Sequence, residues 1–343
     1  MVRSLNTSML ISKKNEGFIV LKDVEPSTAA ELNDFFTCEV PGFKYMPAYR
    51  NKMWDGKIRL YNIVTGEIYM GLLPYIEEYL ENNGENYELE DGLRNERTVA
   101  RSVVQGFLRG LRPTLNGRRI KIRDYQIDAI SHAIATNRSL LISPTASGKS
   151  LVIYCLVRYY QMMELKTLIL VPTTSLVEQM YKDFEDYGWS SETYCQKIYQ
   201  GHDKKVTKDV VISTWQSVHR MPRQYFRQFG AVFGDEAHLF KAKSLTGIMT
   251  KLDTCKYRFG LTGTLDGTQT HRLVLEGLFG KAKYVITTKE LIDNKTLSEL
   301  SINCIVLKYP DEDRQIVKEF DYGAELEYVV TKKERNIFLC NLV

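Results

Sequence analysis

Ser143–Ser150 reads SPTASGKS and lies between two apolar runs, Leu140-Leu141-Ile142 and Leu151-Val152-Ile153. The order is strand, tight loop, helix, the setting in which a chain cradles phosphate. Pro144, Thr145, Ala146, Ser147 and Gly148 form the loop. Gly148 is the small residue that a close backbone approach needs, and N–H groups at the start of the helix then point at the anion. Lys149 brings a positive charge to the β- and γ-phosphates, and the Ser150 hydroxyl is a ligand for Mg²⁺. Ser143 stands where the pattern G-x-x-x-x-G-K-[ST] has its first glycine, so a fortuitous Gly-Lys-Ser turn is the alternative reading.

A second signal lies downstream, where the apolar Val232-Phe233 leads into Gly234-Asp235-Glu236-Ala237-His238. Paired acids on a surface loop carry little meaning. At the end of a buried strand, in a chain that also holds a phosphate loop, they point to nucleoside-triphosphate hydrolysis. Asp235 then holds Mg²⁺ through a water, and Glu236 orients and deprotonates the attacking water.

SPTASGKS together with DEAH resembles the superfamily 2 helicases and translocases. Further stretches resemble that family's first motor lobe, in order and spacing, over residues 117–290: Ile122–Gln126 (IRDYQ), Val171–Gln179 (VPTTSLVEQ), Ile212–Ser217 (ISTWQS) and Leu261–Thr264 (LTGT). The resemblance implies ATP and Mg²⁺ as cofactors, with Ser150 and Asp235 on the metal and Lys149, Asp235 and Glu236 catalytic. It implies that Arg123 supports the nucleotide pocket and that Gln126 reads the adenine edge. Pro172, Thr173 and Thr174 in one loop, and Thr214, Trp215 and Gln216 in another, would follow a DNA backbone, with packing beside the sheet as the alternative for Trp215. His238, Thr262 and Thr264 would couple the nucleotide and DNA sites. Such a motor has a second lobe bearing arginine fingers. No QxxGRxxR pattern occurs here, and the chain is expected to be a fragment.

Phe43–Asn62, FKYMPAYRNKMWDGKIRLYN, and the stretch from Asn303 that contains LKYPDE are similar to parts of the UvsW-type helicases of T-even phages. That resemblance implies an ATP-dependent DNA helicase that remodels forks, Holliday junctions and R-loops in phage recombination, repair and replication. Its partner would be branched duplex with single-strand character. The protein is expected to be a monomer in the cytoplasm of an infected bacterium. A DEAH-type RNA helicase, or a nucleotide- and DNA-binding module without turnover, are the alternatives.

The 343 residues are 44% hydrophobic, and no apolar run reaches the length of a membrane span. The opening MVRSLNTSML lacks a secretion core. Six cysteines show no CxxC spacing, which predicts buried reduced thiols, Cys155 in a helix and Cys304 in a strand. The net charge is only +4 but unevenly spread. Residues 101–123 hold seven basic residues (Arg101, Arg109, Arg112, Arg118, Arg119, Lys121, Arg123) and no acid. Lys44, Arg50, Lys52, Lys57 and Arg59 form a second cluster, interleaved with Tyr45, Tyr49, Trp54 and Tyr61, which suits a nucleic-acid surface. Trp54 either stacks on bases or packs beneath strands.

The predicted fold is α/β: a RecA-like, mostly parallel sheet covered by helices on both faces, preceded by a small α/β domain. The expected divisions are 1–112, DNA-binding; 113–300, the ATP-binding motor lobe; and 301–343, a linker and the start of a second lobe. Predicted motor strands lie at 138–142, 167–171, 196–199, 209–213, 230–234 and 256–261, and helices near 124–136, 149–162, 175–187 and 243–252. Before the motor, helices are predicted at Thr28–Phe36, capped by Ser27, and Leu73–Glu81. Strands Lys57–Ile63 and Glu67–Gly71 are predicted around Thr65-Gly66, and a linker at Leu111–Gly117. After it, a strand is predicted at Ile302–Leu307 and a helix at Ala324–Val343.

Overall fold

Short strands open the chain: β1 (Met9–Lys13), β2 (Phe18–Lys22), β3 (Thr37–Glu39), β4 (Lys57–Arg59), β5 (Glu67–Tyr69) and β6 (Tyr87–Leu89). In this computed structural model, which describes residues 8–94, 99–239, 242–265, 269–298 and 304–342, they form a four-stranded sheet of order β5-β2-β1-β6 and a separate β3-β4 ribbon. Helices Pro26–Phe35 and Leu73–Asn82 bury Leu32, Ile76 and Leu80 beside Ile11 and Ile19 of the sheet.

Two local expectations fail here. Ser27 does not cap the first helix: Glu25 is the N-cap, no side chain caps it, and Pro26 opens the helix, because a proline ring already has helical φ and lacks only an N–H that is orphaned there anyway. The predicted hairpin of residues 57–71 also does not form. β4 pairs with β3 and β5 with β2. Asn62 Oδ1 accepts the Val64 and Thr65 N–H groups, a side-chain turn that leaves only the Asn62–Glu67 bridge between the two runs.

The predicted linker is structured. Helix Arg101–Leu111 buries Val104 and Leu108, and Arg101 ties it to Asp124 (3.2 Å) and Asp128 (3.0 Å). A tight hairpin follows, β7 (Thr114–Leu115) and β8 (Arg118–Arg119). Asn116 and Gly117 turn it with φ of 51° and 73°, the two positive values that a two-residue hairpin turn of matching twist requires.

The motor strands are β9 (Arg138–Ile142), β10 (Lys166–Val171), β11 (Cys195–Ile198), β12 (Val210–Thr214), β13 (Phe229–Gly234), β14 (Tyr257–Thr262) and β15 (Ala282–Tyr284). They form one parallel sheet, β11-β12-β10-β13-β14-β9-β15. Every residue of β12 and β14 is buried, as expected when helices cover both faces. Helices Asp124–Thr136, Lys149–Gln161, Thr174–Asp186 and Ala242–Lys251 fall within about a residue of expectation, which is the normal scatter of helix ends. Arg258, 1% exposed, donates to the carbonyls of Met249 (3.1 Å), Cys255 (3.0 Å) and Leu252 and so satisfies groups left open where that last helix ends.

One hydrophobic core joins the N-terminal sheet to the motor sheet. Tyr75 donates to the wholly buried Glu276 (2.8 Å), which also accepts the Ala282 N–H (2.9 Å). Glu16 pairs with Arg138 at 3.3 Å, and its N–H donates to Asp253 O.

Residues 298–343 form a separate unit. Residues 304–307 are irregular and Cys304 is exposed. The predicted strand is therefore absent there, since no neighbouring strand pairs with it; Ile302 and Asn303 lie outside the described residues. Helices Tyr322–Thr331 and Lys333–Cys340 replace the single predicted helix. Lys332 breaks it with ψ of 114° and turns its ammonium onto Asp313. None of the six cysteines is in a disulfide; four are buried, and Cys304 and Cys340 are exposed.

Candidate active site and nucleic-acid surfaces

The loop after β9 is held at several points. Ser143 donates its N–H to Thr262 O (2.9 Å) and its hydroxyl to Ser147 Oγ (2.6 Å), so the serine in the glycine position serves as a strut. Ala146 and Gly148 have φ of 65° and 84°. A Cβ on Gly148 would lie 2.4 Å from Gln126 Nε2. Gln126 accepts the Arg123 N–H (2.9 Å) and donates to Ser147 O (2.9 Å); Tyr125 Oη donates to the same carbonyl (2.9 Å) and accepts from Arg123 (2.9 Å). The Gln126 amide thus braces the loop, with one N–H and one lone pair left for a base.

β13 delivers the acids to the same edge of the sheet. Lys149 Nζ lies 2.8 Å from Glu236 Oε1, and Pro144, Thr145 and Ser150 belong to the loop and helix that carry it. Glu236 has φ of 49°, strain of the kind found at functional sites. Its other oxygen is 3.5 Å from His238 Nδ1, which lies 2.6 Å from Thr262 Oγ1. Thr262 Oγ1 in turn donates to Thr264 O (2.8 Å). His238, Thr262 and Thr264 therefore form one chain of contacts from Glu236 to the end of β14, and Thr262 O returns it to Ser143.

Asp235 is 7% exposed, and its Oδ1 has no hydrogen-bond partner among the described residues. Burial first, then the neighbouring Glu236 charge, pushes its carboxyl up to about 6. An orphaned buried carboxylate oxygen suits a cation. One hydroxyl and one carboxylate, completed by water and phosphate oxygens, is how Mg²⁺ is usually held, so Ser150 and Asp235 fit that ion.

Sequence reasoning missed what holds Ser150. Its Oγ is 2.8 Å from Tyr187 Oη, and the Ser150 hydroxyl partly offsets the burial that raises Asp183. Both partners lie on or just after helix Thr174–Asp186, too far along the chain for any local pattern to reveal.

Thr173 caps that helix, its hydroxyl accepting the Leu176 N–H (3.3 Å). Thr173, Thr174 and Gln216 are exposed, whereas Pro172, Thr214 and Trp215 are buried. Gln216 donates to Pro172 O (3.1 Å) and joins the two loops. Thr214 Oγ1 meets Ser217 Oγ (2.8 Å). Trp215 belongs to the core cluster, which fits its packing alternative.

In the N-terminal region, Lys44, Arg50, Lys52 and Trp54 line one open cavity of about 640 Å³ with Tyr49 and Asp55. Trp54 is half-buried and donates to Lys57 O (2.9 Å). Arg59 pairs with Asp55 at 2.5 Å. Lys44, Arg50, Lys52 and Lys57 have no ion pair among the described residues.

The family described as DNA helicase UvsW, N-terminal, matches residues 19–90, and that described as Type III restriction enzyme, res subunit, matches residues 119–267. The ATP-dependent DNA helicase uvsW of Enterobacteria phage T4 is 36% identical over 327 residues, 93% of this chain and 64% of that protein. The chain thus spans a little under two thirds of that relative. The DNA 3'-5' translocase XPB2 of Sulfurisphaera tokodaii is 25% identical over 197 residues, 57% of this chain and 43% of that protein. A crystal structure of the T4 UvsW helicase aligns at 34% identity with a TM-score of 0.75, over 81% of this chain and 99% of that one. A second T4 UvsW crystal structure gives 32% and 0.76, over 98% and 67%.

Proposed function

The chain belongs to the UvsW helicase family, and from that membership we propose that it is the ATP-binding part of a DNA helicase or translocase that remodels branched DNA in phage recombination, repair and replication. The observation that carries this reading is the Lys149–Glu236 contact of 2.8 Å beside the buried Asp235. Two motifs far apart in sequence meet at the carboxyl edge of a parallel sheet, where open α/β sheets bind ligands.

Lys149 turns from Glu236 to the β- and γ-phosphates of ATP, and Glu236 is then free to accept a proton from the attacking water. Ser150 and Asp235 would hold Mg²⁺, which when bound would supply charge neutralisation on the phosphates. Arg123 and Gln126 bound the base side. His238, Thr262 and Thr264 carry the state of Glu236 toward the DNA loops. Pro172, Thr173, Thr174, Thr214, Trp215 and Gln216 form the track, with Thr173, Thr174 and Gln216 offering side-chain donors to phosphate. Residues 1–112 act as a DNA-binding domain whose Lys44, Arg50, Lys52, Lys57, Arg59 and Trp54 engage a duplex arm, 113–300 as the motor lobe and 301–343 as the lead into a second lobe. The protein works as a monomer in the host cytoplasm.

The test compares Lys149→Ala with Glu236→Gln. Lys149→Ala should weaken binding of a fluorescent ATP analogue by about 10- to 100-fold, the loss of a hydrogen-bonded charge. Glu236→Gln should bind the analogue at least as tightly, because Lys149 loses its competing partner. DNA-stimulated hydrolysis by the two-lobed enzyme should nonetheless fall by about 10²- to 10⁴-fold, the worth of a general base. Hydrolysis at the parent rate in either variant rejects the assignment.

A further inference from the structure

Apart from Arg123, the acid-free basic stretch of residues 101–123 is not used by the nucleotide site, the track or the N-terminal cavity. Its side chains converge on a groove of about 440 Å³ between the end of helix Arg101–Leu111 and the β7–β8 hairpin. Arg109 and Arg112 contribute from the helix end, and Arg119 and Lys121 from the hairpin and the segment after it. All four are exposed, and none has an ion pair among the described residues. Asp124, the one acid at the rim, is bound to Arg101. The floor is apolar, with Leu108, Pro113 and Ile122 buried. Arg112, with φ of 46°, is the left-handed residue that ends the helix.

The negative end of the helix accounts for Arg109 and Arg112 on its own. It does not account for Arg119 and Lys121, which come from another element and face the same space. No aromatic side chain among the described residues lines the groove, so unpaired bases find no stacking platform in it. Positive charge without stacking fits the backbone of a duplex, read without regard to sequence.

Position separates this groove from the track. Thr114, beside Pro113, bonds to Asp186 O (3.0 Å) and Tyr187 O (3.2 Å) at the C-terminal end of helix Thr174–Asp186. Thr173 sits at the N-terminal end of that 13-residue helix, about 20 Å away at the usual rise.

We propose that the groove between helix Arg101–Leu111 and the β7–β8 hairpin is a further DNA site, apart from the track and the N-terminal cavity, which holds the phosphate backbone of a duplex segment through Arg109, Arg112, Arg119 and Lys121. This rests on the DNA-motor reading above.

The experiment titrates a short fluorescein-labelled duplex by anisotropy over roughly 50 to 200 mM salt. The combined variant Arg109→Ala, Arg119→Ala, Lys121→Ala is compared with the parent, with the charge-preserving Arg109→Lys, Arg119→Lys, Lys121→Arg, and with Arg50→Ala, Lys52→Ala, Lys57→Ala. Each phosphate contact contributes about 0.9 to the slope of log affinity against log salt, so the groove alanine variant should flatten that slope by roughly two to three. It should also bind DNA more weakly, bind a fluorescent ATP analogue as the parent does, and be rescued by the charge-preserving variant. An unchanged slope in the groove variant, while the Arg50, Lys52, Lys57 variant flattens it, overturns the groove site and leaves the DNA reading standing. Loss of ATP-analogue binding with an unchanged DNA slope makes the groove a nucleotide pocket and overturns it too. A weakened duplex that the charge-preserving variant fails to rescue, together with a lowered melting temperature, assigns these residues to folding and overturns it. A parent that binds duplex with no salt dependence removes the DNA reading and this proposal together.

Discussion

Asp235 shows how a buried acid lowers the stability of its own protein. Its carboxyl moves from 3.8 to about 6 because burial disfavours the charged form, with the Glu236 charge adding to it. The folded value lies above the unfolded one, so folding favours the proton. The associated stability is present below about pH 4 and is lost as the pH rises to about 6, an upper bound of about 3 kcal/mol. Asp235→Asn should therefore melt higher than the parent at pH 7.5 without Mg²⁺, and its stability should change less between pH 4 and 6. A lower melting temperature at pH 7.5 would refute the burial account. Ser150 offers a second case. Tyr187 Oη lies 2.8 Å from Ser150 Oγ, so Tyr187 fixes where the hydroxyl proposed as a metal ligand points. Tyr187→Phe should raise the Mg²⁺ concentration needed for ATP-analogue binding severalfold, with binding in EDTA unchanged. An unaltered Mg²⁺ dependence would show that Tyr187 does not position Ser150.

Two glycines show how elements are fixed against each other. Gly71, in the turn Met70–Leu72, lies against helix Gln269–Phe279, where a Cβ would sit 2.1 Å from Glu276 O and 2.6 Å from Gly277 O. Backbone cannot yield as a side chain tip can, so Gly71→Ala should destabilise by about 1–3 kcal/mol. Gly106 lies inside helix Arg101–Leu111 with nothing within 4 Å of its Cβ position. Gly106→Ala should stabilise by about 0.5–1 kcal/mol. Urea unfolding of both reads the contrast; equal shifts would mean that neither helix is held as described. The same scale shows where sequence reading succeeds. Continuous apolar runs such as Leu168–Val171 and Val210–Ile212 mark strands buried on both faces, because only such strands need no polar side. The runs around β4 and β5 alternate as a hairpin would, but Asn62 turns the chain by its own side chain and each strand takes another partner.

Across the whole molecule, the N-terminal region is fastened to the motor lobe by Glu16–Arg138 and Tyr75–Glu276 and by one continuous core. Its cations therefore move with the motor, as the proposed role in holding a duplex arm requires. Arg59 is engaged by Asp55, whereas Lys44, Arg50, Lys52 and Lys57 have no ion pair among the described residues. Removing Arg50, Lys52 and Lys57 together should lower affinity for a four-way junction and flatten its salt slope by roughly two to three, with ATP-analogue binding intact. Unchanged junction affinity and slope would make this region a scaffold.

The sequence by itself determined the motor sheet, its helices and the meeting of Lys149 with Asp235 and Glu236. Loop chemistry, period and apolar runs are local properties, and a parallel sheet brings all its strand ends to one edge. Only the tertiary structure decided that Tyr187 holds Ser150, that Gln126 braces the phosphate loop, and that Arg109 and Lys121 share a groove. Those contacts join residues through space, and nothing in the residues between them records the distance.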